Sequence, residues 1–366
     1  MNVPWQIKDG VRRFLSRGAR GACRDRWQGV ERFPSAEPVL GFGGVLDGSG
    51  LIHGGAVKLL SLRSAFDSHE KRFNLLYLVS SAQPEFAEEI VEACRSKGIP
   101  LIWNQNGVGY PGWAGDEAER HNAPMRRLRS CAKFVIYQSV FCREAAEKFL
   151  GPCSVPGEVL WNPVDLEKFR PGNPPLTPLR VLTLGTQNYR ERVLAPIAAL
   201  KFLHHAGVDC QLTIAGRMLW SGADEEVRAA IAEAGLERMV TVRPAFTQDE
   251  AVALYQSHHI LLHPKYQDPC PTVVIEALAC GLPVIGSASG GLPEMVPDDS
   301  GMLLAIPQVW DRLITPTGEE LAVAIETIRP RLAEMSRTAR RHAEAHFGAE
   351  GWIARHREIF SRFLPG

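Results

Sequence analysis

From about residue 38 to residue 304 the chain repeats one pattern: a short apolar run of strand length, then a longer segment with helical spacing. Strands separated by helices pair in parallel, because the crossover returns the chain to the same end of the sheet. The pattern therefore predicts an α/β fold with two doubly wound, Rossmann-like parallel sheets. In the first half "EPVLGFGG", "FNLLYLVSS", "IPLIWNQ", "KFVIYQS" and "GEVLWNPV" read as strands. The helices between them are "GGAVKLLSLRSAF", "PEFAEEIVEACRSKG", "DEAERHNAPMRRLRSC" and "VFCREAAEKFLG", the third expected to be interrupted at Pro124. "NPVDLEKFRPGNPPLTPLR" then places five prolines in one stretch, which reads as a stiff extended linker between domains. Beyond it "RVLTLG", "CQLTIAG", "MVTVRPAF", "HILLHP", "LPVIGS" and "GMLLA" form a second set of strands, and Thr247 with Glu250 is a capping box opening the helix "QDEAVALYQS". The tail from about 317 to 364 is helical throughout. The expected divisions are a basic segment (1–37), a first Rossmann-like domain (38–165), a second Rossmann-like domain (166–345) and a last helix (346–366) that crosses back to the first domain.

A formal net charge of zero gives no support for general nucleic-acid binding. The eight cysteines are scattered without a C-x-x-C pair, which predicts reduced thiols of a cytoplasmic protein rather than a disulfide framework or a zinc site. No run of apolar residues is long enough to span a bilayer. The first residues, "MNVPWQIKDGVRRFLSRGARGACRDRW", hold six arginines and one lysine interleaved with apolar residues. They read either as a segment lying on the inner face of an anionic membrane or as a terminal helix packed on the body.

The stretch "HPKYQDPCPTVVIEALACGLPVIGSASGGLPEMV" carries the chemistry. On one regular helix Asp268 and Glu276 would point about 80° apart. Pro269 and Pro271 favour another arrangement, with Asp268 on a loop and Glu276 on a helix running from about Pro271 to Cys280. That helix start, at Thr272 and Val273, offers unpaired amides and a positive dipole end to a phosphate. Glu276 is placed to accept from ribose hydroxyls and Asp268 from those of a second sugar. A diphosphate flanked in this way describes a nucleotide-sugar.

These residues resemble the donor-binding segment of the retaining GT-B glycosyltransferases of family 4, the glycosyl transferases group 1 domain. The family's E-x7-E pattern falls on Asp268 and Glu276, its G-x-P-V-I element on Gly281, Pro283, Val284 and Ile285, and its G-G-x-x-E on Gly290, Gly291 and Glu294. "LTIAG", ending in Gly216, "AFTQDEAVALYQSHHILLHP" and "SGMLL" extend the match through the second half. Fainter echoes in the first half are "IHGGAVKLLSL" with Gly54 and Gly55, "VIYQSVFCREAAEKF" and "VLWNPVDLEKFRP". The resemblance implies a metal-independent hexosyltransferase without cofactor, moving a hexose from a nucleotide-diphosphate sugar to a carbohydrate, lipid-linked or small-molecule acceptor.

One departure concerns the cations. The family's usual arginine and lysine after the first strand of the second domain are here Thr186 and Glu191, in "GTQNYRERV". A closed cleft still needs a cation for the diphosphate. Arg190 or Arg192, following Gly185 by a shifted register, is the expected replacement, with Arg217 and Lys265 as further candidates. Asp268, Glu276 and Arg190 are the expected catalytic set. On the acceptor side, where the family often has a histidine, this chain has Asn104, Gln105 and Asn106, and Trp113 is a candidate stacking platform. The first domain reads as short by about one strand–helix unit. Gly54 and Gly55 serve either a tight turn or ligand contact, and Glu294 is either a ligand or a helix-end acid. Two other uses of the same cleft stay open: a sugar-nucleotide epimerase, and a non-catalytic scaffold suggested by Thr186 and Glu191.

Overall fold

The computed structural model describes residues 18–44 and 54–364. Residues 1–17 of the basic segment therefore lie outside the described residues. Residues 18–28 form a helix (α1). Its Trp27 is buried among Val30, Phe73 and Leu76, with the Lys71 ammonium 3.9 Å from the indole centroid.

The first sheet has six parallel strands in the order β3-β2-β5-β6-β7-β8. A separate two-stranded ribbon pairs β1 (Glu31–Arg32) with β4 (Arg72–Phe73). The six strands are β2 (Val39–Gly41), β3 (Asp67–Ser68), β5 (Leu75–Val79), β6 (Leu101–Gln105), β7 (Phe134–Tyr137) and β8 (Gly157–Val159). They alternate with α2 (Gly54–Ala65), α3 (Ala87–Ser96), the short α4 (Pro111–Ala114), α5 (Ala118–Cys131) and α6 (Val140–Leu150). Missing from the sequence reading are the ribbon strands β1 and β4 and, in this sheet, β3. With only two exposed residues at the sheet edge, it has no apolar run to betray it. The expected interruption at Pro124 is corrected, because α5 runs through it without a break. Leu128, one turn further on, is buried in the core, and burial of this kind offsets the hydrogen bond that proline cannot make.

The second sheet orders β11-β10-β9-β12-β13-β14, also all parallel. Its elements are β9 (Leu179–Leu184), α7 (Glu191–His205), β10 (Cys210–Ala215), α8 (Ala223–Glu233), β11 (Val240–Arg243), α9 (Gln248–Gln256) and β12 (Ile260–His263). There follow α10 (Thr272–Ala279), β13 (Val284–Ser287), α11 (Leu292–Met295) and β14 (Gly301–Leu304). Three helices end the chain: α12 (Gly318–Ile328), α13 (Leu332–His346) and α14 (Ala349–Ser361). The capping box is present at α9, where the Thr247 hydroxyl and the Glu250 carboxylate satisfy each other's backbone amides.

Both sheets are covered on both faces, which is why their central strands read as continuous apolar runs. In the first sheet the pleat sends Leu76, Leu78, Trp103 and Val135 to one core and Leu75, Tyr77, Ile102 and Ile136 to the other. That second core is completed by α14, which contributes Trp352, Ile359 and Phe360. Burying these three is worth roughly 1.5–3 kcal/mol each. The Arg355 guanidinium clamps Glu158 of β8 through Nε–Oε1 at 2.6 Å and Nη2–Oε2 at 2.5 Å. Where the chain crosses from α13 to α14 it pairs with the linker, Val164 N donating to the Phe347 carbonyl (2.8 Å) and Ala349 N to the Val164 carbonyl (3.1 Å).

Candidate active site

In an open parallel sheet the binding crevice lies beyond the carboxyl ends of the strands, where the strand order reverses. The second sheet reverses between β9 and β12, so the loops after these strands diverge and leave a gap. The carboxyl ends of the first sheet face the same gap. Together they enclose a cavity of about 1910 Å³, lined by Ser80, Asn106 and Gln138 on one side and Gly185, Gly216 and Lys265 on the other.

Two glycines shape the floor. Gly185 and Gly216 stand at φ +105° and +126°, and a Cβ on Gly216 would overlap the carbonyl oxygen of Gly185. Gly216→Ala is therefore expected to force β9 and β10 apart at their ends. It should cost about 3 kcal/mol in chemical denaturation; a loss under about 1 kcal/mol would contradict this packing.

Asp268 sits on the loop after β12, and several bonds fix that loop. Tyr266 N donates to the Tyr189 hydroxyl (2.9 Å), Gln267 N to Ser289 Oγ (2.9 Å), and the Asp268 carbonyl accepts from Gly291 N (2.8 Å). Its Oδ2 accepts from His263 Nε2 at 3.0 Å and meets the Lys265 ammonium at 2.9 Å. Burial alone would raise the pKa of this carboxyl, but Lys265 and His263 hold it well below the usual carboxylate range. His263 is itself pushed down by burial and is neutral, so its Nε2 carries the proton it donates. Asp268 is thus an anion at neutral pH, and it lines the cavity.

Helix α10 starts one residue later than expected. Pro271 is its N-cap, in extended conformation, and its carbonyl accepts from Val274 N (3.0 Å). Thr272 and Val273 then occupy the first turn, where amides have no partner within the helix, and both residues line the cavity. Glu276 lies one turn further along, 6% exposed. Its Oε2 accepts from the Tyr255 hydroxyl at 2.8 Å and its Oε1 from Gln248 at 3.5 Å. Burial pushes its pKa up to about 7, and the Tyr255 bond offsets only part of that.

The expected cations divide. Arg190 is corrected: its side chain is 56% exposed, pairs with Glu226, and does not line the cavity. Arg192, two residues on, is turned about 200° around the helix axis and points inward. It is 3% exposed, donates from Nη1 to the Thr186 carbonyl (2.6 Å), and leaves its buried Nε without a partner. Burial lowers its pKa, and Tyr189 and Asp268 oppose that fall. Lys265 and Arg217 line the cavity as well. Glu191 is exposed.

On the first-domain side Gly55, Asn106 and Trp113 line the cavity, whereas Asn104 does not. Gly54 opens α2, and Asn104 is buried behind the wall. The reason for Asn104 is a residue the sequence reading missed. Lys58 is 3% exposed and its ammonium donates to Asn104 Oδ1 (3.1 Å), Asn106 Oδ1 (2.9 Å) and Gln138 Oε1 (2.8 Å). Three donors meet three amide oxygens, so the wall's amides are locked in orientation. Burial pushes the pKa of Lys58 down to about 8. The available signal was one lysine in the otherwise apolar helix "GGAVKLLSL". Glu294 contacts the first domain rather than the cavity, and among the described residues no group of three or more His, Cys, Asp or Glu is arranged to hold a metal.

Two Rossmann-like domains facing one cleft, with a helix start, a buried arginine and two buried carboxylates of the second lining it, define the GT-B class of fold. Residues 165–315 match the family described as Glycosyl transferases group 1. The D-inositol 3-phosphate glycosyltransferase of Arthrobacter sp. (strain FB24) is 33% identical over 114 residues, 31% of this chain and 27% of the relative. That of Mycobacterium sp. (strain KMS) is 32% identical over 146 residues, 37% of this chain and 32% of the relative. The matched part of the chain thus spans about a third or less of these curated relatives. Among solved structures, Anabaena HepE in complex with UDP superposes with a TM-score of 0.69 at 17% identity, covering 91% of this chain and 100% of that one. Sucrose-phosphate synthase from Thermosynechococcus elongatus gives 0.64 at 20% identity, covering 79% and 73%. Among the described residues no helix is long and apolar enough to cross a membrane.

Proposed function

We propose that the chain is a retaining hexosyltransferase that uses a nucleotide-diphosphate sugar, with UDP as the first nucleotide to test. One observation carries this reading: the first turn of α10, the inward-facing Arg192 and the buried Glu276 line a single cavity. The diphosphate sits against the amides of Thr272 and Val273, with Arg192 and Lys265 neutralising it, so protein cations rather than a metal ion carry that charge. Glu276 accepts from the ribose hydroxyls. Asp268 accepts from the hexose hydroxyls, and its own pairing with Lys265 keeps it ionised while it does so.

The acceptor enters from the first-domain wall, past Asn106 and Trp113. The bond from the anomeric carbon to the phosphate oxygen breaks with its electron pair leaving on the phosphate. The acceptor oxygen bonds to the same face, and its proton passes to the departing phosphate oxygen. Stabilisation of the charge growing on that phosphate is the main catalytic contribution. The family name and the UDP-bound neighbour support a nucleotide-sugar donor. The scaffold alternative drew on Thr186 and Glu191; the exposed position of Glu191 and the cation that Arg192 offers beside Thr186 weaken that case.

The test is a thermal-shift titration with UDP-, GDP-, ADP- and dTDP-sugars without added metal. Stabilisation by one donor, lost in Glu276→Ala, is the expected result. A flat response to the whole panel would sink the proposal. Conversion of the donor to an epimer without an acceptor would replace it with the epimerase reading.

A further inference from the structure

Two side chains of the second domain meet on one turn of the first. Glu294, on α11, accepts from the amides of Val140 (2.7 Å) and Phe141 (2.8 Å), the first two residues of α6, and from the Trp161 indole at 3.5 Å. A carboxylate there satisfies amides that the helix leaves open and complements its dipole. Trp310 lies flat on the Phe141 ring, centroids 5.4 Å apart at 14°, with Tyr110 and Phe149 edge-on to it at 5.2 Å and 5.1 Å. The Trp310 carbonyl accepts from Gly112 N at 2.7 Å. Trp310 belongs to the stretch 305–317, which has no regular secondary structure, and structureless connections of this length in compact domains are usually functional.

The same two segments brace the Asp268 loop from behind. Gly291, three residues before Glu294, donates to the Asp268 carbonyl, and a Cβ on Gly290 would overlap the Asp268 backbone. Val309, next to Trp310, donates from its amide to the Tyr266 hydroxyl (2.7 Å) and accepts at its carbonyl from Gln267 Nε2 (3.0 Å). Gln267 stands at φ +48°, a left-handed conformation that a residue other than glycine keeps only when its surroundings hold it. Each brace therefore touches the Asp268 loop and then, one to three residues later, the first turn of α6. Gln138 and Cys142, which flank that turn, line the cavity.

We infer that Glu294 and Trp310 are positioning residues: by clasping the first turn of α6 they set the distance between Asp268 and the acceptor wall of the first domain. The inference rests on the proposed role of Asp268 in holding the donor sugar. Its effect falls on transfer more than on nucleotide binding, because Glu276, Arg192 and the α10 start lie off the braced loop, which carries only Lys265 of the nucleotide-binding set. A displacement of about 1 Å between reacting groups costs about a hundredfold in rate.

The experiment uses the full chain carrying Glu294→Gln, Trp310→Ala, Trp310→Phe, or Glu294→Gln with Trp310→Ala. Hydrogen exchange is read at the Tyr266, Gln267, Val140 and Phe141 amides, and UDP affinity and turnover are measured separately. In the double variant exchange at Tyr266 and Gln267 should rise about tenfold together with that at Val140 and Phe141. UDP affinity should stay within about twofold while turnover falls about a hundredfold. Trp310→Phe should restore most of the rate. Unchanged exchange at Tyr266 and Gln267, or UDP affinity and turnover falling in parallel, would overturn the clasp. If Trp310→Ala fails to fold, Glu294→Gln and Trp310→Phe keep the same readouts. If the parent binds no UDP-sugar the functional proposal fails, and the exchange measurements still decide whether the clasp holds the loop.

Discussion

Glu276→Gln is expected to raise the melting temperature of the ligand-free protein above pH 7 while removing most of its affinity for a UDP-sugar. The folded-state pKa of about 7 lies above the ordinary value of 4.5, so the native protein holds this proton more tightly than the unfolded chain does. Stability linked to that proton is complete below pH 4.5, declines as pH rises, and is gone above pH 7. The difference of 7 − 4.5 = 2.5 units corresponds to about 3 kcal/mol. A glutamine is neutral throughout and keeps an oxygen for the Tyr255 hydroxyl, so the variant should gain several degrees at pH 8 and little at pH 4.5. The same carboxylate accepts from two ribose hydroxyls in the proposed complex. An amide accepts through one atom, and the loss should be about a hundredfold in affinity. Calorimetry at pH 5 and pH 8, with and without UDP-sugar, reads both effects. A variant less stable than the parent at pH 8 would refute the buried, strained carboxyl. A stabilised variant with undiminished affinity would remove Glu276 from the ligand site.

The second large effect separates two arginines that lie two positions apart. Arg192→Met should weaken UDP binding by about a hundredfold, since it deletes a buried cation whose Nε is unpartnered until an anion arrives. The binding should also become less sensitive to salt. Arg190→Ala removes only an exposed pair with Glu226, so affinity should be unchanged and stability should move by less than about 1 kcal/mol. Titration calorimetry with UDP ranks them. A loss at Arg190 instead of Arg192 would mean that α7 is rotated on ligand binding and that the present orientation does not describe the complex.

These two arginines also mark where sequence reading runs out. The alternation of apolar runs exposed nearly every strand, because strands buried on both faces cannot hide. Asp268, Thr272 and Glu276 were legible because a loop, a proline cap and a short helix are written within a few adjacent residues. The choice between Arg190 and Arg192 was not, since it depends on where the first turn of α7 begins, and a shift of one residue rotates a side chain by about 100°. Lys58 was hidden for a different reason. Its partners are Asn104 on β6 and Asn106 and Gln138 just beyond the ends of β6 and β7, and a bond across 46 to 80 residues leaves no local mark. The two-residue β3 leaves none either, being too short for a period.

The return of α14 to the first sheet has a consequence for the order in which the molecule can be made. On the ribosome the segments of the first sheet emerge early, yet the face bearing Leu40, Tyr77 and Ile136, with Leu59 and Leu62 of α2 upon it, stays only partly covered until Trp352, Ile359 and Phe360 have been synthesised. The domain translated first is thus the one completed last. Through all the time that the second domain takes to emerge and fold, a half-covered apolar sheet face waits for a helix encoded 275 residues after Tyr77 (352 − 77 = 275). A nascent chain of this design depends on its own distant end, or on a chaperone standing in for it, to keep that face out of water.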